Sequence, residues 1–185
     1  MRTAISLAVV LLMPALALAD PPVKLYYVGE AKVSSADGRA MGFQVYLLEK
    51  TLDRDKATIT ERAIIVRDDG KAEEWTMRFA VKEDNTFTLT EDSKRAVGSG
   101  KLFGPAWKWT YFKATYQATN GARIDDENFM TDPTVLVARK RISAPDGKVI
   151  GFMDITLKSI TPQTFTILSA GLLKKESPSP KEKQP

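Results

Sequence analysis

The sequence predicts an all-β domain, an antiparallel up-and-down β-barrel of about eight to ten strands. Three observations carry that expectation. Apolar and polar residues alternate with a period of two along most of the chain, as strands with one buried face require. Turn residues interrupt the alternation at intervals of roughly 8 to 16 residues, so that consecutive strands pair as neighbours. No stretch longer than two turns combines a 3.6-residue period with helix caps. A row of about ten strands cannot stay open without long unpaired edges. It must close into a barrel or divide into a two-sheet sandwich, which is the structural alternative.

The first segment is not part of that fold. Residues 1–19 carry one early cation, Arg2, then an apolar run broken only by Ser6 and Pro14, and end in Ala17-Leu18-Ala19 before Asp20. This is the pattern of a cleavable secretory signal peptide with a small-x-small cleavage site. The run is shorter than the roughly 20 apolar residues that a bilayer-spanning helix needs. The expectation is an exported protein, in a periplasm or otherwise secreted, whose mature chain begins at Asp20 and has no transmembrane segment.

Strands are expected next over 23–34, 41–50 and 57–67, separated by Asp37-Gly38 and Asp53-Arg54-Asp55. The cleanest alternation follows Asp69-Gly70. Trp75, Met77, Phe79 and Val81 stand against Thr76, Arg78, Ala80 and Lys82, and Phe87 and Leu89 stand against Thr86, Thr88 and Thr90. Each apolar set falls on one side of a pleat and is expected to be buried. Further strands are expected over 97–103, 107–117, 134–142, 149–160 and 164–169. Gly104-Pro105, Asn120-Gly121, Asp132-Pro133 and Asp146-Gly147 divide the earlier ones. Residues 174–185 are dominated by Lys, Glu, Ser and Pro and cannot bury enough surface to offset their ordering entropy. They are expected to form a disordered tail behind a barrel domain spanning 20–173.

Composition narrows the chemistry. The 185 residues include no cysteine and no histidine. An exported domain without cysteine relies on burial and hydrogen bonding, which a chain of this length can manage. Without either residue type there is no Ser-His or Cys-His nucleophile pair, no histidine general base, no ordinary zinc site and no histidine-bound haem. The chain is therefore expected not to be an enzyme and to need no cofactor. Arg2 and the tail account for +3 of the formal net charge of +4, leaving +1 on residues 20–173. With no basic stripe, nucleic acid is not an expected partner. The absence of any Asn-x-Ser/Thr sequon favours a bacterial envelope.

The segment 98–111 stands out. Gly98, Gly100 and Gly104 resemble a phosphate loop superficially, but no helix pattern follows, and small residues at a barrel corner explain them better. Trp107, Trp109 and Tyr111 fall on one face of the expected strand and would line either a cavity or a packed interior. Arg139 and Arg141 continue the face of Val135 and Val137. Facing inward, they would sit near the barrel mouth and meet an anionic head group; facing outward, they are solvated charges. The acidic run Asp125-Asp126-Glu127, with Asn128 and Asp132, lacks the alternating ligands and central glycine of a calcium loop. It reads as a solvated strand end, and no metal site is expected.

Segments 98–111, 125–139 and 147–157 place a Gly-rich strand before an aromatic Trp-x-Tyr strand, then an acidic-aromatic-Met segment and a Val-Leu strand. In this they resemble the C-terminal half of a bacterial exported family of unknown function with a predicted lipocalin-like barrel. The resemblance covers about a third of the chain, implies a calycin-type barrel and supplies no reaction. Members often carry a lipobox cysteine, which this chain lacks, so membrane tethering does not carry over. Two classes of function are consistent with all of this. One is a barrel that binds a small apolar or amphipathic ligand such as a lipid or fatty acid, with Trp107, Trp109 and Tyr111 as its wall and Arg139 or Arg141 at its mouth. The other is a non-enzymatic envelope interaction protein with a filled barrel and a protein partner yet unknown.

Overall fold

A computed structural model describes residues 21–174 except 93–95, 106, 119 and 133. The signal-peptide segment 1–19 and the tail beyond Lys174 lie outside the described residues. Ten strands run in chain order: β1 (Val23–Ser35), β2 (Ala40–Asp53), β3 (Thr58–Arg67), β4 (Ala72–Val81), β5 (Thr86–Glu91), β6 (Ala96–Phe103), β7 (Tyr111–Ala118), β8 (Arg123–Asp132), β9 (Val135–Ser143) and β10 (Val149–Ser159). Each pairs antiparallel with its neighbours in sequence, and β10 returns to pair with β1 along Tyr27 to Ser35. The result is the closed up-and-down barrel that the alternation predicts. Closure rules out the sandwich, because no sheet edge remains.

The count of ten conceals two corrections. Residues 164–169 are not a strand; they belong to α1 (Pro162–Lys174). Thr164, Thr166 and Ile167 have strand propensity, but the local start signals favour helix. Thr161 caps the helix by accepting the Thr164 N–H on its hydroxyl at 3.1 Å, and Pro162 occupies the first helical position. Conversely, the acidic run expected to be a solvated strand end lies within a complete strand, β8. Its charges alternate between the outer face and the interior.

α1 lies against the outside of the barrel. Phe165 is buried on Leu47 and Ile64, with Tyr26, Val28, Leu172 and Leu173 around it. This contact explains why Tyr46-Leu47-Leu48 and Ala63-Ile64-Ile65 break the period of two: all six side chains are buried, Tyr46, Leu48, Ala63 and Ile65 in the lumen and Leu47 and Ile64 on the outer face beneath α1. Removing the cap should loosen this contact. Thr161→Ala is expected to cost about 1 kcal/mol, visible as a lower melting temperature with weakened ellipticity at 222 nm.

The lumen is packed by the inward set. Tyr27, Tyr46, Leu48, Ile65, Leu136, Ile155 and Leu157 form one cluster, and Ile59, Met77, Phe79, Phe87, Leu89, Leu102 and Tyr116 form another. As expected, Met77, Phe79, Phe87 and Leu89 are buried; Trp75, Trp107 and Trp109 are partly buried. Gly98 and Gly100 have a role that the turn reading did not foresee. A Cβ on Gly98 would overlap Tyr116, and one on Gly100 would overlap the Phe87 ring and the Lys113 carbonyl. Large side chains from the neighbouring strands fill the space that these two glycines leave.

Candidate functional site

Antiparallel alternation places the β2–β3, β4–β5, β6–β7 and β8–β9 connections at one end of the barrel. The longest of them, residues 104–110, folds over that opening. Gly104 turns the chain at φ 119°. The Lys108 N–H then donates to the Pro105 carbonyl at 2.9 Å, and Trp107 adopts φ 61°, a left-handed conformation that is costly for a bulky residue. The Trp107 and Trp109 rings meet with centroids 5.0 Å apart. The Trp109 indole N–H reaches the side-chain oxygen of Asn85, on the β4–β5 turn, at 3.4 Å. Two connections thus hold a tryptophan roof across the barrel end.

Beneath this roof is a cavity of about 190 Å³. Its walls are mainly apolar, from Leu52, Ile59, Phe79, Phe87, Leu102 and Phe112, while Lys50, Glu61 and Asn128 supply polar groups. Lys50 and Glu61 face each other across β2 and β3 and form an ion pair at 2.8 Å, with only 10% and 13% of their side chains exposed. The Lys50 ammonium also lies 5.6 Å from the centroid of the Phe112 ring. A second cavity, of about 40 Å³, adjoins the first; Glu61, Phe79, Phe112, Asn128 and Leu136 border both. Its volume suits water rather than a ligand.

A second buried pair borders the inner cavity. Lys140 lies 3.1 Å from Asp126 and donates to the Tyr116 hydroxyl at 3.1 Å, and Asn128 donates to Asp126 at 2.7 Å. Burial alone would favour a neutral Lys140. The Asp126 carboxylate and the Tyr116 and Tyr46 hydroxyls outweigh it and hold the lysine well above its ordinary pKa. Burial also raises Asp126, against the pull of Lys140, and pushes the Tyr116 phenol up to about 12. No buried side-chain nitrogen or oxygen lacks a partner among the described residues.

These shifts predict an alkaline limit to stability. Lys140 and Tyr116 each have a folded-state pKa above the unfolded one, so their contributions are complete below the unfolded values near pH 10 and are lost as pH rises through the folded values. The melting temperature should therefore fall between about pH 10 and 12. Thermal circular dichroism across that range checks this, and a flat profile to pH 12 would contradict it.

The residues singled out from sequence are not brought together as expected. Trp107 and Trp109 lie in the connection rather than on a strand, and form the roof. Tyr111 begins β7 and sits on its outer face, stacked on Phe129 at 4.6 Å and against Phe103 at 5.1 Å, although it touches the cavity's edge. The shared face of these three residues is thus corrected: Gly104 and the turn at Trp107 interrupt the strand before Tyr111. Arg139 and Arg141 point outward, the first paired with Asp154 and the second with Asp125, each at 2.7 Å. A place for them at the mouth is corrected too, since the cation of β9 that enters the lumen is Lys140. In the acidic run, Asp125 and Glu127 form outer-face ion pairs while Asp126 and Asn128 turn inward. No group of three metal-ligating side chains occurs among the described residues.

No family model matches the sequence, and no curated protein matches it. Solved structures do. The fold is similar to that of an S-type phycobiliprotein lyase from Guillardia theta, with a TM-score of 0.52 and 9% identity over 74% of this chain and 86% of that one. It is similar also to a protein of unknown function of the DUF3598 family from Nostoc punctiforme, with a TM-score of 0.52 and 10% identity over 73% of this chain and 46% of that one. At these identities the likeness is one of fold. It brings no reaction or ligand with it.

Proposed function

We propose that this chain is an exported, periplasmic barrel that binds one small apolar or amphipathic molecule beneath Trp107 and Trp109 and catalyses no reaction on it. The cavity of about 190 Å³ under a tryptophan roof carries this reading. A dry cavity of roughly 150 Å³ already admits a benzene ring, so this one suits a single ring or a short acyl segment. A longer lipid would have to displace the roof. Export rests on the signal pattern of residues 1–19; N-terminal sequencing of protein from the host should return Asp20.

Native mass spectrometry of protein purified from its host, followed by tryptophan-fluorescence titration with medium-chain fatty acids and their neutral analogues, tests the binding. A bound species and a saturable fluorescence change are expected. Trp109→Ala should weaken binding about ten-fold, or ~1.4 kcal/mol, through loss of apolar contact with the roof. A ligand-free spectrum together with no fluorescence change up to the solubility limit would count against the reading.

A second reading has one observation in its favour. Phe103, Tyr111 and Phe129 form a row of stacked rings on the outer face, with Phe103 and Phe129 each 40% exposed. Such a row suits a protein partner in the envelope. Cross-linking in the host, with loss of the product in Phe129→Ser, would support it.

A further inference from the structure

Lys50 and Glu61 are the only charged side chains of the described residues that border the larger cavity from the barrel wall; Lys108 borders it from the roof and is exposed. Their ion pair at 2.8 Å is internally matched and almost wholly withdrawn from solvent. The neighbouring Lys140–Asp126 pair is matched as well. Among the described residues, the wall of this cavity therefore offers no spare cation for an anionic ligand and no spare anion for a cationic one. A carboxylate brought to Lys50 would stand beside Glu61, so that one buried ammonium faced two buried carboxylates. An ammonium brought to Glu61 would create the opposite imbalance. Either arrangement adds an uncompensated charge at a site shielded from water, which is the expensive case.

The same pair is well suited to a neutral polar group. An ammonium offers three donors and a carboxylate offers two acceptor oxygens, so each partner keeps hydrogen-bonding capacity beyond the contact they share. Donor and acceptor stand side by side on adjacent strands. A primary amide can accept from Lys50 and donate to Glu61 at once, and a hydroxyl can do the same through one oxygen.

We propose, resting on the binding reading above, that the ligand enters polar end first and that this end is a neutral dipolar group of the amide or alcohol type, held at Lys50 and Glu61. The apolar remainder lies against Phe79, Phe87 and the tryptophan roof. The charge balance of the lumen thus selects among amphipathic molecules of similar shape.

Fluorescence titration of the full mature chain at pH 7 with octanamide, octan-1-ol, octanoate and octylamine tests this directly. Octanamide and octanol are expected to bind at least ten-fold more tightly than octanoate or octylamine. Glu61→Gln leaves Lys50 without its counter-ion and should move the preference toward octanoate. Lys50→Met should move it toward octylamine. Circular dichroism establishes that each variant is folded, and the wild-type panel decides the matter without them. Octanoate binding as tightly as octanamide would overturn the inference while leaving a ligand-binding barrel in place, and Lys108→Ala would then show whether the carboxylate is met at the rim. Failure of all four probes to bind would overturn the binding reading and this inference with it.

Discussion

Lys140→Met should lower the melting temperature by roughly 6 to 20 °C. Breaking a buried ion pair from one side costs about 3–5 kcal/mol, and a domain of this size loses about 2–4 °C per kcal/mol. The geometry favours the full effect. Asp126 has 9% of its side chain exposed, and without Lys140 it would retain only the Asn128 amide among its bonds at this site. The loss should depend on pH in a defined direction. With its counter-ion gone, burial raises Asp126 in the folded state above its unfolded value of about 3.9. A raised acid contributes its full stability below the unfolded pKa and loses it as pH rises through the folded one. The deficit relative to the wild type should therefore be smallest at or below about pH 4 and should grow as pH rises through the folded-state pKa of Asp126. Replacing both partners, as in Lys140→Met with Asp126→Leu, removes the uncompensated charge and should recover most of the stability. Chemical denaturation of the two single variants and the double variant measures this. Equal losses in the single and double variants would show that the pair itself contributes little.

The interior pairs show what was legible in the sequence and what was not. Barrel architecture was readable because it is written in parity: Trp75, Met77 and Phe79 on β4 and Phe87 and Leu89 on β5 alternate with polar residues and point into the lumen. The same parity contains the site. Lys50 follows Tyr46 and Leu48 in phase, Glu61 sits between Ile59 and Ala63, and Lys140 follows Leu136 and Ala138. A charge in phase with a buried face is a signal for an internal ion pair, and it was available. It is a quieter signal than residues conspicuous by type, the tryptophans and the arginines. Arg139 and Arg141 are in phase with Val135 and Val137, an apolar set that faces outward. Parity divides a strand into two faces but does not say which is inside; the strands across the barrel decide that. The helix was hidden for a related reason. Its burial depends on Leu47 and Ile64, far away in sequence, and they mark their own strands as covered on both sides.

Phe87→Ala should be as damaging as loss of the ion pair, and it also tests the cavity. Phe87 is 1% exposed, meets Phe79 and Phe112 edge to face at 5.3 and 6.0 Å, and occupies the space that Gly100 leaves open. Truncating a buried phenylalanine costs about 3–5 kcal/mol, from lost transfer energy and from the void left behind. Adding a methyl at Gly100 will not recover that loss, because its Cβ would still overlap the Lys113 carbonyl. The void has a consequence for binding. Phe87 lines the wall of the larger cavity, so its removal enlarges the space beneath the tryptophan roof by about one ring. The variant should melt well below the wild type yet bind a two-ring probe such as naphthalene more tightly than the wild type does. Each bound probe stabilises the folded state in proportion to the logarithm of its concentration over Kd. Naphthalene should therefore raise the melting temperature of Phe87→Ala by more than that of the wild type. A variant that is destabilised but gains nothing from the probe would mean that the wall collapses into the void, and the roofed cavity could not then be treated as a preformed site.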